Sequence, residues 1–317
     1  MIAVIGGSGF IGTVLARCLK KENLNFKILD KNKSKEFPGE WQYCDVTDFN
    51  SLSSALNDVS TIINLAAEHK DNVHPVSLYY DVNVSGAKNI CEVAVKNNIK
   101  NIIFTSSVAI YGFVEKETGE DGEYHPFNHY GKSKLEAEYV YNAWFDKYAD
   151  NKLITIRPTV VFGENNRGNV YNLFKQIASG KFLMIGSGDN KKSMAYVENI
   201  AAFIHYVTKN LSVGKYVFNY VDKPDFTMNE LTEIISKALG KKECNIKVPY
   251  AIGMFGGYFF DFLSKATGKE FPVSSIRIKK FCARTQFKSD AISKLDFIAP
   301  VPLAEGISKT VRNEFLK

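Results

Sequence analysis

The sequence predicts an α/β protein built on a doubly wound parallel sheet. Three observations carry that prediction. Strand-like and helix-like patterns alternate through the first half of the chain. The chain opens with a short β-branched run that passes straight into closely spaced glycines and then into a helix pattern. A second strand pattern follows and ends in an aspartate, Asp30.

Taken in order, Ile2 to Ile5 reads as a buried strand. Gly6, Gly9 and Gly12 stand three apart, and Gly-x-Gly-x-x-Gly also reads from Gly7. A helix near 10–22 follows, with Val14, Leu15, Cys18 and Leu19 on one side. Further strands read at 26–29, 42–44, 61–65, 102–106 and 153–157. Further helices read near 48–57, 78–98 and 129–148. Such βαβ units have right-handed crossovers, with helices on both faces of the sheet. After Pro158 the regularity fails, and loops with Gly163, Gly168, Gly180, Gly186 and Gly188 precede shorter elements. Residues 1–164 are therefore expected to form a dinucleotide-binding domain. Residues 165–317 are expected to be a smaller, less regular substrate-binding region, some of which returns to the first domain.

The glycine run has a physical reading. One glycine permits a sharp turn, one lets backbone N–H groups approach a pyrophosphate, and one lets helix pack closely on strand. The pyrophosphate then sits at the positive end of the helix. Asp30, about 20 residues on, is the expected partner of an adenosine ribose hydroxyl.

Composition narrows the class. Hydrophobic residues make up 45% of the 317 and charged residues 23%, as in ordinary globular proteins. The net charge of +6, from 40 basic and 34 acidic residues, reads as spread along the chain rather than gathered in a run. That predicts a solvated surface and no nucleic-acid face, and it also suits a mildly basic pocket for a phosphate-bearing substrate. Cys18, Cys44, Cys91, Cys244 and Cys282 are odd in number and lack Cys-x-x-Cys spacing, so neither disulfides nor a zinc site is expected. His69, His74, His125, His129 and His205 show no ligand spacing, and no metal is expected. With a first strand at residue 2, no signal peptide is expected, and the reading is a cytoplasmic protein. The apolar stretch Val248 to Leu263 is broken by Pro249, Gly253, Gly256, Gly257 and Asp261. It is too short to span a bilayer and is expected to be a buried helix or pocket lid rather than a membrane anchor.

Ligands of such sheets bind beyond the carboxyl ends of the strands. Asp45-Val46 follow the third strand, and Asn64-Leu-Ala-Ala67 end the fourth with small residues that leave room for a cofactor. Phe104-Thr-Ser-Ser107 ends the fifth with two hydroxyls. Tyr130-Gly-Lys-Ser-Lys134 opens the next helix, where Tyr and Lys at i and i+4 share a face. A nearby lysine favours the phenolate and can bring a tyrosine pKa towards neutrality, as a proton donor or acceptor for an alcohol needs. The same spacing at Tyr148/Lys152 and Tyr171/Lys175 lacks a paired hydroxyl at a preceding strand end and reads as coincidence.

Together these pieces resemble the extended short-chain dehydrogenase/reductase superfamily, in its nucleotide-sugar epimerase/dehydratase/reductase branch. The matching segments are GGSGFIG at 6–12, Asp30, Asp45-Val46, NLAA at 64–67, DVNVSGAKN at 81–89, FTSSVAIYG at 104–112, YGKSK at 130–134 and IRPTVVFG at 156–163. The resemblance implies a Rossmann-type fold with Tyr130 as acid/base, Lys134 on the nicotinamide ribose and Ser107 on the reacting oxygen. It implies pyrophosphate contacts from Gly6, Gly9, Gly12 and the Phe10 and Ile11 amides. Asp30 would hold the adenosine ribose, Asp45 and Val46 the adenine, with Ala66, Ala67 and Asn83 beside the cofactor. Asp30 favours NAD, while Lys31 and Lys33 leave NADP open. A homodimer through the helices at 78–98 and 129–148 is implied as well.

Departures from the family pattern narrow the chemistry. Dehydratases of the family carry an acidic pair where this chain has Val108-Ala109, which cannot do proton work. Many UDP-galactose-type epimerases carry an asparagine where this chain has Val160. The segments at 163–177 and 185–201 look more like bacterial sugar epimerases and C4 ketoreductases of polysaccharide loci. Arg167, Asn169, Lys192, Ser193 and Arg277 are the expected substrate partners, arginine suiting phosphate especially. The expected function is NAD-dependent C4 epimerisation of a nucleotide sugar, UDP-linked. The alternative is an NAD(P)H-dependent 4-keto-6-deoxy sugar reductase, and behind it an oxidoreductase of the 3β-hydroxysteroid dehydrogenase kind.

Overall fold

The structure, a computed structural model, describes residues 1–70, 73–148, 150–242, 246–269, 271 and 273–316. Its first half runs β1 (Ile2–Ile5), α1 (Phe10–Lys21), β2 (Phe26–Asp30), β3 (Trp41–Tyr43), α2 (Phe49–Ala55), β4 (Thr61–Asn64), α3 (Ser77–Tyr80), α4 (Gly86–Lys96), β5 (Asn101–Thr105), α5 (His129–Asp146) and β6 (Lys152–Pro158). The second half runs β7 (Val160–Phe162), α6 (Asn169–Ala178), β8 (Met184–Ile185), β9 (Lys191–Tyr196), α7 (Val197–Asn210), β10 (Gly214–Tyr220), β11 (Asp222–Thr227), α8 (Met228–Ala238), β12 (Lys247–Val248), α9 (Tyr250–Thr267), α10 (Ser275–Cys282) and α11 (Leu303–Phe315).

Seven parallel strands form one sheet in the order β10-β6-β5-β4-β1-β2-β3. Side chains alternate between its two faces, as pleating requires. Val4, Ile63, Ile103 and Ile154 enter one core with Leu15 and Leu19 of α1 and Ile200 and Ile204 of α7. Ala3, Ile5, Ile62, Ile102 and Leu153 enter the other with Leu52 of α2, Ile90 of α4 and Tyr141 of α5. Each fully buried aliphatic side chain contributes roughly 1.5–3 kcal/mol, so the two cores dominate the stability of this part. α1 ends because Asn23 takes φ 53° and the Leu24 N–H closes back on the Leu19 carbonyl.

The helix expected at 78–98 is interrupted by a π turn over Asp81–Ser85, which joins α3 to α4 and carries Asn83. Such turns insert one residue into a helix and recur at functional sites. β10, from beyond residue 165, completes the seven-stranded sheet beside β6. Two smaller sheets, β11-β9-β7 and β12-β8, lie in the second half.

The stretch Val248 to Leu263 forms the expected helix but is not buried. It enters α9, but only Met254 and Gly257 of that helix are buried, while Phe255 is 78% and Phe262 68% exposed. Apolar sequence cannot tell a core from another apolar environment. Cys18, Cys44, Cys91 and Cys282 are free thiols, and Cys244 lies outside the described residues. Among the described residues no helix is long and apolar enough to cross a membrane.

Candidate active site

The residues singled out by sequence gather beyond the carboxyl ends of the strands. After β1 the chain turns at Gly6, whose φ is 75°. A Cβ there would lie 2.6 Å from the Ala66 nitrogen, so this turn and the end of β4 meet backbone to backbone. A Cβ at Gly12 would lie 2.5 Å from Gly7 Cα, so α1 can pack on the turn only without a side chain. The first helical bond of α1 runs from the Thr13 N–H to the Gly9 carbonyl, so the Phe10 and Ile11 amides have no partner within the helix. The result is a narrow, N–H-lined cradle at a helix N-terminus.

Asp30 ends β2 and accepts from the Ser8 N–H at 3.1 Å and the Asn32 N–H at 2.9 Å. It therefore already faces the glycine turn. Asp45 accepts from the Thr47 N–H at 2.9 Å, and the Val46 carbonyl accepts from Asn89 at 2.9 Å. Gly86 packs on Val46, where a Cβ would lie 2.9 Å from Val46 Cγ2. Asn64 Oδ1 accepts from the Ala66 N–H at 3.0 Å and its amide donates to the Tyr141 hydroxyl at 2.8 Å, which fixes the small-residue segment 65–67 to α5. Asn83 does the same from the π turn. It exchanges hydrogen bonds with the Glu68 backbone at 2.9 and 3.1 Å and donates to Ser133 Oγ at 2.9 Å.

Ser107 follows β5 and caps a single 3₁₀ turn over Val108–Tyr111, its Oγ accepting from the Ala109 N–H at 3.1 Å. Tyr130 sits in the first turn of α5, which Asn128 caps by accepting from the Gly131 N–H at 2.8 Å. Gly131 is the residue sequence reasoning missed. A Cβ there would lie 2.6 Å from the Ala109 carbonyl oxygen, so the Tyr130 turn and the Ser107 turn approach each other only through this glycine. The signal was present, as the Gly inside Tyr-Gly-Lys-Ser-Lys.

Lys134 is buried, donates from Nζ to the Thr105 carbonyl at 2.7 Å and lies over the Phe104 ring at 4.8 Å. Burial pulls its pKa down to about 7, against the nearby Glu138 carboxylate, which raises it. Burial pushes the Tyr130 pKa up, with a hydrogen bond to Ser107 working the other way. The two decoys hold other posts. Lys152 Nζ donates to the Thr208 and Leu211 carbonyls, and Tyr171 packs under Arg167 and against Phe315.

Four of the five expected substrate residues already have partners within the protein. Arg167 pairs with Glu314 of α11 at 3.0 Å. Asn169 is exposed at the start of α6. Ser193 Oγ is buried, donating to Asp225 at 2.8 Å and accepting from the Phe287 N–H at 2.8 Å. Lys192 Nζ donates to the carbonyls of Lys280 and Ala283 at 2.9 and 2.5 Å, and burial lowers its pKa to about 8. Arg277 lies exposed on α10 and donates to the Phe271 carbonyl at 3.1 Å.

The NAD dependent epimerase/dehydratase family matches residues 2–219, and the chain belongs to it. The chain is 51% identical, over 99% of its length and 95% of the relative's, to the N-acetyl-α-D-glucosaminyl-diphospho-ditrans,octacis-undecaprenol 4-epimerase of Escherichia coli O157:H7. It is 26% identical to a UDP-glucose 4-epimerase of Vibrio cholerae, over 84% of this chain and 85% of that one. Its fold matches the UDP-N-acetylglucosamine 4-epimerase structure from Bacillus cereus with a TM-score of 0.76 at 21% identity, over 98% of this chain and 97% of that one. The protein is thus an NAD-dependent enzyme of this family. The residues present fit NAD, since the Phe10 and Ile11 amides at the N-terminus of α1 have no partner within the helix and Asp30 stands beside the glycine turn.

Proposed function

We propose that this protein is a 4-epimerase of an N-acetylhexosamine joined through a diphosphate to a polyprenol. The observation that carries the reading is the 51% identity to the Escherichia coli O157:H7 enzyme along 99% of the chain, through the sheet and the C-terminal elements alike. The reading keeps the expected C4 chemistry and sugar diphosphate, and replaces the nucleotide with a lipid. Apolar Val108 and Ala109 support an epimerase over a dehydratase.

In this mechanism Tyr130 takes the proton of the C4 hydroxyl, and Ser107 hydrogen-bonds the same oxygen as it becomes a carbonyl. When bound, NAD supplies the hydride acceptor and donor at C4. Tyr130 returns the proton after the 4-keto sugar has turned its other face. Lys134, poised near neutrality, holds the nicotinamide ribose and, when charged, favours the tyrosinate. Gly6, Gly9 and Gly12 with the Phe10 and Ile11 amides hold the pyrophosphate. Asp30 takes the adenosine ribose, and Asp45 and Val46 the adenine. Ala66 and Ala67 leave space for the cofactor, and Asn83 positions their loop. Lys192, Arg277 and Asn169 remain assigned to the substrate. Arg167 and Ser193, already paired to Glu314 and Asp225, are assigned to the frame. A cytoplasmic homodimer through α4 and α5, where Val95 and Tyr139 are exposed, completes the proposal.

A second reading is a UDP-linked hexose or N-acetylhexosamine, favoured by the relationship to the Vibrio cholerae enzyme. Incubation with N-acetylglucosaminyl-diphospho-polyprenol in detergent, and separately with UDP-N-acetylglucosamine, separates the two. Conversion of the polyprenol-linked N-acetylglucosamine to polyprenol-linked N-acetylgalactosamine without net NADH supports the first reading. Conversion of the UDP sugar alone supports the second. NADH or NADPH consumption confined to a 4-keto-6-deoxy sugar overturns both.

A further inference from the structure

α9 presents an apolar face that nothing among the described residues covers. Ile252, Phe255, Phe259 and Phe262 recur at i, i+3, i+7 and i+10, and all four are exposed. The opposite side of the helix is pinned. A Cβ at Gly257 would lie 2.8 Å from Ser275 Cα, so α9 and α10 touch backbone to backbone, and Asp261 accepts from the Ser275 N–H at 3.3 Å. The aromatic stripe therefore faces outward on a fixed helix. A contiguous apolar face of this kind marks an interaction surface.

The charge around it is lopsided, which corrects the reading of an evenly spread excess. Residues 241–288 hold ten basic and three acidic residues, a net of +7, leaving 30 basic and 31 acidic residues in the rest of the chain. The whole positive excess thus belongs to α9, α10 and their flanks. Within α9 the only charged residues are inward-facing Asp261 and Lys265 in the last turn, and Lys269 follows just beyond. Exposed aromatics framed by lysine and arginine are the pattern of a helix that lies in the interface of an anionic membrane.

We propose that α9 docks this protein on an anionic phospholipid bilayer. Ile252, Phe255, Phe259 and Phe262 enter the boundary between headgroups and acyl chains, and Lys265 and Lys269 meet the headgroup phosphates. The helix packed against α9, α10, reaches towards the segment that precedes Tyr130. Lys280 of α10 lies 4.9 Å from the Phe127 ring centroid, and Phe127 stacks on Phe113 at 4.6 Å, three residues before Tyr130. Resting on the polyprenyl reading above, this arrangement lets the sugar reach Tyr130 while its lipid stays in the bilayer.

Flotation with phosphatidylethanolamine/phosphatidylglycerol vesicles containing no sugar lipid tests the docking apart from the substrate. The wild type is expected to float, to do so far less with phosphatidylcholine alone, and to come off as salt rises. Phe255→Asp with Phe262→Asp, and separately Lys265→Glu with Lys269→Glu, should each weaken vesicle binding at least tenfold. NAD binding and thermal unfolding should be unchanged in both, because these side chains are exposed. Failure of the wild type to bind anionic vesicles at low salt overturns the proposal, as does wild-type binding by the folded variants. A dimer in solution that the paired Phe substitutions dissolve also overturns it, making the face an interface between copies. Vesicle binding without turnover of the polyprenyl substrate sinks the substrate reading alone, and turnover in detergent without vesicle binding sinks the docking alone.

Discussion

Arg157 and Glu138 form a two-pronged ion pair inside the protein, Nε to Oε1 at 3.0 Å and Nη2 to Oε2 at 2.7 Å, with side chains 3% and 4% exposed. The pair joins β6 to α5 one helical turn beyond Lys134. The same guanidinium donates to the Tyr111 hydroxyl at 2.6 Å, the Tyr124 hydroxyl at 2.7 Å and the Glu120 carbonyl at 3.1 Å. It thereby ties the segment after Ser107 to the helix that carries Tyr130. Removing one partner strands a buried charge, so Glu138→Ala should lower the unfolding free energy by about 3–5 kcal/mol. The Glu138→Met, Arg157→Met double variant should lose much less. Urea titration reads both, and a loss under about 1 kcal/mol for Glu138→Ala would show that the pair is dispensable.

Tyr130→Phe removes the group assigned to move the C4 proton and leaves the packing in place. Turnover should fall by about 10²–10⁴-fold. NAD affinity, measured by quenching of protein fluorescence, should stay close to that of the wild type. A fully active variant would sink the proposed mechanism.

The lowered pKa of Lys134 sets a pH dependence of stability. The unfolded chain holds the lysine proton up to about 10.5, whereas the folded protein releases it at about 7. Between those values the unfolded state binds more protons, so raising the pH favours folding. This contribution is absent below pH 7 and complete above about 10.5. Urea midpoints at pH 7 and pH 9 should therefore rise more in the wild type than in Lys134→Met. Parallel changes in the two proteins would mean that Lys134 keeps its proton when folded.

Gly12→Ala sets a methyl group against backbone atoms at 2.5 Å, whereas Gly39→Ala meets nothing within 4 Å. The first should destabilise by about 1–3 kcal/mol and abolish retention of NAD through purification. The second should stay within about 0.5 kcal/mol of the wild type. Thermal melts and the absorbance of released cofactor check both, and a tolerant Gly12 would mean that α1 can move off the turn.

The strands from β1 to β6 lie within a residue or two of their expected positions because each is a short apolar run closed by a turn. The groups after their carboxyl ends were legible for the same reason, since local order along the chain is also local order in space. Arg157 shows where legibility stops. It lies 19 residues from Glu138 and 46 from Tyr111, and no periodicity links them. Gly131 was visible but mute, because its role depends on the Ala109 carbonyl of another segment. The orientation of α9 was misread for a different reason. Hydropathy reports that a helix avoids water, and the surrounding elements decide what it meets instead.

The strand β10 carries a consequence for biogenesis. It is the partner of β6 and the outermost strand on its side of the sheet, yet it leaves the ribosome more than fifty residues after β6 does. Until Gly214–Tyr220 emerges, β6 presents an unsatisfied and strongly apolar border, the kind that recruits foreign strands. Translation of this protein therefore passes through an interval in which the sheet is open to misassembly, and a fragment stopped at residue 164 would remain in that condition permanently.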